Sequence, residues 1–401
     1  MFGESGIMNV KIYPGRLLGK INAKPSKSYA QRYIFASLFC KEETEILFNG
    51  GCADTDSALS VAESLGAKVK RTERGVIITP PDTLPEHPVL NVGESFTALN
   101  LIIPSLSALG IKAEIHGDGT ANARRIFFDD LLNGNVLPVK ITKKLSGGKI
   151  EIDGDKTSQT VSGLMFALPF LPDDSEIILK TPLVSKPYVD ITTNALKSFG
   201  IEIAETKTGY KINRDKRYVS PKKISVEGDY TSSAVFFTAN VIGNIVKVNG
   251  LNPNSVQGDA VFNKLALGFK SSGTVTDVTD TPDLFPYLAV VAGYSSSKTT
   301  FTGTNRLKNK ESDRVSSVYE CLTSLGVKCE KGDDTFTVYG NGKVKGGEIS
   351  SFGDHRIVTA FAVAGTMASE PVIIKNCECV KKSYPDFFED FKSLGGKYEI
   401  C

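Results

Sequence analysis

Apolar and polar positions recur along this chain in one repeated order. A helix pattern ends in an apolar residue and Gly, and strand patterns follow, as in "ESLGAKVKRTERGVIIT", "LKSFGIEIAETKTGYKIN" and "LTSLGVKCEKGDDTFTVYG". Weaker copies read "LLNGNVLPVKI", "LALGFKSSGTVT" and "FKSLGGKYEI". The glycines of the six copies are Gly66, Gly134, Gly200, Gly268, Gly326 and Gly395. Their spacing of roughly 60 to 70 residues predicts six copies of one α/β unit, each with Gly at a helix end.

Each copy also contains a second helix pattern whose first turn is polar and whose later residues are apolar at helical spacing. The six starts read "PSKSYAQRYIFASLF", "GESFTALNLIIPSL", "KTSQTVSGLMFALPFL", "GDYTSSAVFFTANVI", "TPDLFPYLAVVAG" and "GDHRIVTAFAVAG". Ser, Thr and Asp are typical N-cap residues, so capping explains most of these starts without any ligand.

Capping does not explain the cations at some of these starts. Lys27, Arg32, His355 and Arg356 lie in or near a predicted first turn. A cation there opposes the helix dipole at a cost of about 0.3 to 1 kcal/mol, unless an anion binds to both the charge and the backbone N–H groups. The pattern therefore favours anion binding.

The segment "NKESDR" adds acidic and basic side chains at one further helix start. Apolar residues at helical spacing after it predict a helix that begins near Glu311, with Lys310 and Arg314 beside it. Such a run is either a solvated network of i,i+4 pairs or a source of one acid and two anion ligands.

Composition limits the classes of protein and partner. The 401 residues are 41% hydrophobic, which predicts a large core divided between two domains. With 47 basic and 45 acidic side chains, the net charge of +2 gives no reason to expect a nucleic-acid or membrane partner. The apolar runs are too short and interrupted for a membrane span, and the N-terminal pattern predicts no export signal.

The cysteines favour a cytoplasmic protein without a metal. Seven cysteines are scattered along the chain, an odd number that suits a reducing compartment better than a disulfide framework. The pair "CEC" lacks a second pair of ligands, and there are only three histidines. We therefore expect no metal site.

Eight motifs in one order carry a resemblance that spans essentially the whole chain. They read "PSKSYAQR", "TSQ", "SKPY", "GDYTSSA", "TPD", "KESDR", "DHR" and "KKSYPDFF". The chain resembles the 3-phosphoshikimate 1-carboxyvinyltransferase (EPSP synthase) family. The resemblance implies an α/β (α+β) fold of two similar domains, each with three βαβαββ repeats whose helix N-termini face an interdomain cleft.

The resemblance also implies the domain boundaries and the reaction. Residues 23–227 would form a domain with most shikimate 3-phosphate ligands, and residues 1–22 and 228–401 a discontinuous domain with the phosphoenolpyruvate and acid/base motifs. The family transfers the enolpyruvyl group of phosphoenolpyruvate to the 5-hydroxyl of shikimate 3-phosphate and releases phosphate. We expect these two small molecules as partners, no cofactor, a monomer, and a site completed by domain closure that brings the acid and the base together.

Candidate site residues come from the family by matching motif. For shikimate 3-phosphate they are Lys27, Ser28, Arg32, Thr157, Ser158, Gln159, Ser185, Tyr188, Asp283 and Lys310. For phosphoenolpyruvate they are Lys27, Arg124, Arg314, His355, Arg356 and Lys382. The resemblance implies that Asp283 is the base that takes the 5-hydroxyl proton and Glu311 the acid that protonates the methylene carbon, with Lys27 as a third catalytic residue.

One wall of the expected site departs from the family. The family usually has Gly-Asn-Ala/Ser-Gly-Thr followed by Arg, where this chain reads "GESFTALNL", with Glu94, Phe96 and Asn100 in place of Asn, Gly and Arg. Thr120 also replaces an Arg. Because glyphosate lodges near that Gly in the family, we expect Phe96 to weaken inhibition by glyphosate.

Three alternatives remain open at the level of sequence. The UDP-N-acetylglucosamine 1-carboxyvinyltransferases share the fold and the reaction but commonly place Cys or Asp in the loop that corresponds to Gly117–Arg125, where this chain has Asp118 and no Cys. A non-catalytic anion-binding protein on the same fold would fit the altered wall. An RNA-end cyclase of related architecture fits the balanced charge poorly.

Overall fold

The structure is a computed structural model that describes residues 8–212, 216–269 and 273–401. The prediction that the chain has no export signal rests partly on residues 1–7. Two of the repeated sequence patterns extend into residues 213–215 and 270–272. Those parts of the predictions lie outside the described residues.

The described residues alternate between strands and helices throughout. The strands are β1 Val10–Tyr13, β2 Leu18–Asn22, β3 Thr44–Leu47, β4 Lys68–Thr72, β5 Gly75–Thr79, β6 Val89–Asn91, β7 Glu114–His116, β8 Val139–Lys140, β9 Lys149–Ile152, β10 Ser175–Leu179, β11 Ala204–Glu205, β12 Gly209–Ile212, β13 Lys223–Ser225, β14 Ile245–Asn249, β15 Thr274–Asp277, β16 Lys298–Thr302, β17 Lys328–Lys331, β18 Thr335–Tyr339, β19 Gly347–Ser350, β20 Val372–Lys375 and β21 Lys397–Ile400. The α-helices are α1 Lys27–Leu38, α2 Ala53–Ser64, α3 Phe96–Leu109, α4 Ser158–Ala167, α5 Lys186–Ser198, α6 Tyr230–Val241, α7 Phe262–Gly268, α8 Phe285–Tyr294, α9 Arg314–Ser324, α10 His355–Met367 and α11 Phe387–Ser393.

The chain divides into two compact units with separate hydrophobic cores. Unit 1 contains residues 1–24 and 228–401, and unit 2 contains residues 25–227. The chain therefore crosses between the units twice. The crossings lie between Lys24 and Pro25 and between Glu227 and Gly228.

The sheets of unit 2 share one arrangement. Two sheets have the orders β13-β3-β5-β4 and β9-β10-β12-β11, and in each the first pair is parallel and the later pairs are antiparallel. The third, β6-β7-β8, repeats the parallel and the first antiparallel pairing. Three sheets of one design agree with three structural repeats in this unit.

Unit 1 uses the same arrangement. The orders β15-β16-β18-β17 and β19-β20-β1-β21 again have one parallel pair followed by antiparallel pairs. The third sheet is the parallel pair β2 and β14. Strands β1 and β2 thus complete sheets whose other members follow unit 2 along the chain.

The polar-start helices are the buried layer of each unit. Helix α3 is buried over nearly its whole length, and α4 packs against it so closely that a Cβ on Gly163 would lie 2.0 Å from the Asn100 carbonyl oxygen. Only Gly permits this approach. Because these helices are apolar on all sides after their first turns, their polar ends are the parts left for a ligand.

Most predicted elements form, and one does not. All six predicted second helices are present as α1, α3, α4, α6, α8 and α10. Four of the six repeat glycines follow helices with positive φ, namely Gly66, Gly200, Gly326 and Gly395. The prediction of a helix before Gly134 is wrong, because the chain there forms turns after a short 3₁₀ helix at Gly119–Ala123.

No helix in the described parts of the chain is both long and apolar enough to cross a membrane.

Candidate active site

The candidate residues fall into two groups, one in each unit. Unit 2 holds Lys27, Ser28, Arg32, Arg124, Thr157, Ser158, Gln159, Ser185 and Tyr188. Unit 1 holds Asp283, Lys310, Glu311, Arg314, His355, Arg356 and Lys382.

Lys27 is the first residue of α1, where a cation opposes the helix dipole. Its Nζ donates to Asp54 Oδ2 at 2.7 Å, and the Asp54 side chain is almost entirely buried. Asp54 itself lies in the first turn of α2, where a carboxylate is favourable. The protein therefore supplies a carboxylate partner for Lys27, which the sequence pattern did not indicate.

Arg32 is a buried cation that is held by neutral acceptors. Its side chain is 1% exposed, Nε donates to Thr192 Oγ1 at 2.8 Å, and the two terminal nitrogens donate to the backbone oxygens of Ser28 and Tyr188. Burial lowers the pKa of Arg32 to about 10. These bonds tie α1 to α5, so Arg32 has a structural role in addition to the predicted ligand role. Ser28 contributes its carbonyl to this network.

The residues Thr157, Ser158 and Gln159 form the start of α4. The Thr157 hydroxyl accepts from the Gln159 backbone N–H and caps the helix. The Gln159 amide donates to Thr97 Oγ1 at 2.9 Å and accepts from Asn100 Nδ2 at 3.2 Å. Asn100, at the position where the family commonly has Arg, thus orients a predicted substrate ligand.

The altered wall contains an aromatic–cation contact in place of a glycine surface. Phe96 is the first residue of α3, and the Arg124 guanidinium carbon lies 4.1 Å from the centre of its ring. Arg125 does not replace the missing family Arg, because its guanidinium is exposed and pairs with Asp129. The Glu94 carboxylate accepts from the Thr120 backbone N–H. Phe96 therefore provides an aromatic surface against which Arg124 packs.

Ser185 and Tyr188 lie at the start of α5. Ser185 is buried and has a φ of 53°, in the left-handed region, which is uncommon for a residue other than Gly. Tyr188 supplies its backbone oxygen to both Arg32 and Thr192. Tyr188 is therefore part of the network that holds Arg32, and its backbone N–H donates to the Ser185 carbonyl oxygen at 3.1 Å.

In unit 1, one guanidinium organises the group. The Arg314 side chain is 1% exposed and donates to Asp354 Oδ2 at 2.8 Å, Asp283 Oδ1 at 2.6 Å and Glu311 Oε2 at 2.7 Å. Although burial works against its charge, the three carboxylates raise the pKa of Arg314 above its ordinary value. These bonds use one N–H group on each of the three nitrogens, three of the five that a guanidinium has.

Asp283 lies between three cations. Its second oxygen accepts from Arg356 Nη2 at 2.7 Å, and Lys310 Nζ lies 3.8 Å from its first. Burial alone would raise the pKa of Asp283, but Arg356, Lys310 and Arg314 lower it well below the ordinary value. Burial lowers the pKa of Lys310 to about 8. Asp283 is consequently an ionised carboxylate whose basicity depends on how closely these cations approach it.

Glu311 precedes a helix instead of beginning one. Helix α9 begins at Arg314, with Asp313 as the N-cap, so the prediction of a start near Glu311 is wrong. The local reason is that the Asp313 side chain accepts from the Ser316 backbone N–H. Lys382 Nζ lies 3.9 Å from Glu311 Oε1.

The acid and base candidates share one partner inside unit 1. Asp283 and Glu311 both accept from Arg314. The expectation that domain closure brings the acid and the base together is therefore wrong.

His355 is the first residue of α10 and is almost completely buried. Its Nδ1 lies 3.9 Å from Asp354 Oδ1, and Asp354 caps the helix by accepting from the Arg356 backbone N–H. His355 is therefore a buried side chain at a helix start, whereas a surface histidine would be in contact with solvent.

Three acidic residues near the candidates were missed in the sequence. Asp54 pairs with Lys27, Asp354 with Arg314, and Asp259 lies buried where burial, reinforced by the charge of Asp283, raises its pKa to about 7. Asp354 belongs to the quoted "DHR" motif, which was read as a cap. No local pattern marks Asp54 or Asp259, because their partners lie far away in sequence.

Within residues 8–212, 216–269 and 273–401, no group of three or more His, Cys, Asp or Glu side chains is arranged to hold a metal ion. The seven cysteines are free thiols.

A family model supports the resemblance over nearly the whole chain. Residues 12–391 match the model described as EPSP synthase (3-phosphoshikimate 1-carboxyvinyltransferase). Among solved structures, an EPSP synthase from Acinetobacter baumannii has a TM-score of 0.82 at 22% identity and covers 98% of this chain and 100% of its own. At that identity, the likeness shows the fold.

Curated relatives named 3-phosphoshikimate 1-carboxyvinyltransferase cover the chain almost end to end. Those of Clostridium perfringens (strain SM101) and Clostridioides difficile (strain 630) are each 32% identical, with 96% and 98% of this chain and 98% of each relative covered. The relative from Methanocorpusculum labreanum is also 32% identical, with 97% of this chain and 99% of its own length covered. The chain therefore belongs to the EPSP synthase family.

Proposed function

We propose that this protein is a 3-phosphoshikimate 1-carboxyvinyltransferase. It transfers the enolpyruvyl group of phosphoenolpyruvate to the 5-hydroxyl of shikimate 3-phosphate and releases phosphate. Family membership and the names of the relatives support this activity. The observation that carries it is the buried cluster in which Arg314 binds Asp283, Glu311 and Asp354, and Arg356 binds Asp283.

Both substrates are polyanions, and the candidate cations suit them. Guanidinium groups bind carboxylate and phosphate through paired, charge-assisted hydrogen bonds. In unit 1, Arg314, Arg356 and Lys382 are buried and close to carboxylates, so the positions of these cations are fixed before an anion binds. We assign phosphoenolpyruvate to this group, together with Lys27, Arg124 and His355.

Binding of phosphoenolpyruvate would activate Asp283. In the free protein the carboxylate accepts from Arg314 and Arg356, which makes it a weak base. When an anionic substrate takes over these donors, Asp283 loses the partners that hold its pKa down and becomes able to accept the 5-hydroxyl proton. The base would thus become effective only after the substrate is present.

Glu311 would supply the proton that the methylene carbon receives. Its Oε2 accepts from Arg314 and so is not free to carry a proton while that bond persists. The same displacement of Arg314 that activates Asp283 would release Glu311. Protonation turns the methylene carbon into a methyl group and creates positive character at its neighbour, where the 5-hydroxyl oxygen attacks and loses its proton to Asp283. Collapse of the tetrahedral intermediate then breaks the C–O bond to phosphate, while the methyl group returns a proton to the Glu311 carboxylate and the C=C bond forms again.

Shikimate 3-phosphate would bind mainly through unit 2. Arg32 is a buried positive charge with neutral partners, which favours an anion in its surroundings. The helix starts at Thr157 and Ser185 present hydroxyl and backbone groups of the kind that bind phosphate. We assign to this substrate Lys27, Ser28, Arg32, Thr157, Ser158, Gln159, Ser185 and Tyr188, with Asp283 and Lys310 at its 5-hydroxyl.

We further propose that the enzyme acts in the cytoplasm as a monomer. The free cysteines suit a reducing compartment, and the family's reaction requires only the two small molecules as partners.

Phosphate release tests the proposal directly. Phosphoenolpyruvate is supplied with shikimate 3-phosphate and, separately, with UDP-N-acetylglucosamine. Release with the first acceptor alone, lost in Glu311→Gln, is the expected result. Phosphate release with UDP-N-acetylglucosamine alone would identify the protein as a UDP-N-acetylglucosamine 1-carboxyvinyltransferase. Release with neither acceptor would favour a non-catalytic anion-binding protein.

A further inference from the structure

The two crossings between the units run side by side and are hydrogen-bonded to each other. The Asp229 N–H donates to the Lys24 carbonyl at 2.7 Å, and the Ser26 N–H donates to the Glu227 carbonyl at 2.8 Å. Between them, a Cβ on Gly228 would lie 2.6 Å from the Gly250 oxygen. The path of the first crossing is therefore fixed just before α1 and Lys27.

The Lys24 side chain attaches this crossing to the C-terminal part of unit 1. Its Nζ lies 2.9 Å from Asp390 Oδ2 and 3.2 Å from Asp386 Oδ2, and 5.1 Å from the centre of the Tyr384 ring. The Lys24 side chain is 26% exposed, whereas the Arg71 and Asp56 side chains of a surface pair are 67% and 54% exposed. Although burial would lower it, the pKa of Lys24 is raised by Asp390 and Asp386.

The acceptors of Lys24 belong to a firmly packed segment. The Tyr384 hydroxyl donates to Asp390 Oδ2 at 2.8 Å. The same carboxylate oxygen therefore contacts both the Tyr384 hydroxyl and the Lys24 ammonium group. Tyr384 is buried, and its ring contacts Phe236 and Phe387 edge-on. Because these contacts hold the segment in place, it can fix the position of the flexible Lys24 side chain.

The same segment carries a predicted substrate ligand. It directly follows the 3₁₀ helix Cys377–Lys382, and the backbone N–H groups of Ser383 and Tyr384 donate back to Val380. Lys382, the last residue of that helix, is buried near Glu311. Lys24 thus binds the segment that directly follows a predicted phosphoenolpyruvate cation.

We propose that Lys24 is a positioning residue for phosphoenolpyruvate: its ion pairs with Asp386 and Asp390 hold in place the segment that directly follows Lys382. The proposal rests on the proposed function of the site. Lys24 acts through Lys382 and does not itself contact substrate. Removal of its charge should loosen the placement of Lys382 and weaken phosphoenolpyruvate binding more than turnover.

Lys24→Met is the main test because methionine keeps much of the length of the side chain and removes its charge. We expect the KM for phosphoenolpyruvate to rise about 10-fold, with kcat changed by less than about 3-fold. Lys24→Arg should restore most of the affinity. Asp390→Asn should add little in the Lys24→Met background, as expected of groups in one network. Arg71→Met, which breaks the exposed Arg71–Asp56 pair, is the matched control and should leave the KM unchanged.

Amide hydrogen exchange gives a readout that does not depend on activity. Lys24→Met should accelerate exchange over residues 383–390, and Arg71→Met should not. Unchanged exchange there overturns the proposal, even in an enzyme that releases no phosphate. Accelerated exchange with an unchanged KM would make Lys24 a purely structural ion pair and would also overturn it. Absence of phosphate release in the unmodified protein refutes the proposed function separately.

Discussion

The candidate groups of the two units differ in how their cations are paired. In unit 1, Arg314 and Arg356 both bind carboxylates, and Asp283 is shared between them. In unit 2, Arg32 binds only hydroxyl and carbonyl oxygens in the contacts described above, and Arg124 lies over the ring of Phe96. Lys27 in unit 2 pairs with the carboxylate of Asp54.

This difference indicates that the two units have different chemical roles. Carboxylates that share guanidiniums can exchange partners when an anion arrives, and their proton affinity changes as they do. A buried cation with neutral partners keeps its charge for a ligand and offers no proton chemistry. Unit 1 is thus suited to acid and base catalysis, and unit 2 to holding a phosphorylated substrate.

The largest expected effect tests the catalytic side of the comparison. Asp283→Asn should lower the rate of phosphate release about 10²- to 10⁴-fold, because an amide cannot accept the 5-hydroxyl proton. Binding of phosphoenolpyruvate, measured by calorimetry, should persist because Arg314 and Arg356 remain. Asp333→Asn, at an exposed position of unit 1, is the control. A variant at position 283 with more than half of the parent rate would contradict the assignment of the base.

The next effect tests the binding side. Arg32→Lys should raise the KM for shikimate 3-phosphate about 10- to 100-fold, since an ammonium cannot reproduce the planar donor geometry of a guanidinium. The free energy of unfolding should also fall by about 1–3 kcal/mol as buried acceptors lose their donors.

Thr192→Val separates these two consequences. It removes one acceptor of Arg32 and should lower the unfolding midpoint while the KM for shikimate 3-phosphate changes by less than about 3-fold. An Arg32→Lys enzyme with the parent KM would leave Arg32 with only its structural role.

A smaller effect concerns the wall of unit 2 that departs from the family. Phe96→Gly should make inhibition by glyphosate about 10-fold tighter, because it removes a steric barrier and the ring that holds Arg124. Phe96→Leu keeps most of the volume and should remain insensitive. If Phe96→Gly is no more sensitive than the parent, the ring is not the barrier.

The smallest effect is on stability and comes from a buried carboxyl of unit 1. Asp259 accepts a hydrogen bond from Thr231, and burial raises its pKa to about 7. Because the folded-state pKa exceeds the unfolded value of 3.8, the stability contributed by this group is present below about pH 4 and is lost as the pH rises through about 7.

Denaturant unfolding at pH 5 and pH 8 measures this contribution. The parent should lose about 1–3 kcal/mol more between the two pH values than Asp259→Asn, which has no charge to bury. Equal losses in the two proteins would mean that Asp259 is ionised throughout this range.

Local sequence patterns predicted the helix starts well and the ion pairs poorly. Caps such as Thr157 and Asp354 act within a few residues, so they are visible as motifs. Asp54 lies 27 residues from Lys27, and Asp283 lies 73 residues from Arg356. Which carboxylate meets which cation depends on the packing of distant helices, and no local pattern contains that information.

The errors have the same origin. The pattern near Gly134 resembled a helix end, but no helix forms before it. At Glu311 the spacing of later apolar residues was correct, yet the nearby Asp313 competes successfully as the cap and moves the start to Arg314. Motif matching supplied the candidate residues of both units. The sharing of Arg314 between the acid and base candidates depends on three-dimensional packing, which the motifs do not contain.

The double crossing has a consequence for how the protein is made on the ribosome. Strand β1 pairs with β20 and β21, and β2 pairs with β14, so β1 and β2 wait for partners that are synthesised after unit 2. Unit 2 is continuous and can fold during that interval. The apolar side chains of β1 stay exposed until β20 and β21 have been synthesised, and a chaperone that binds extended apolar segments has a target there.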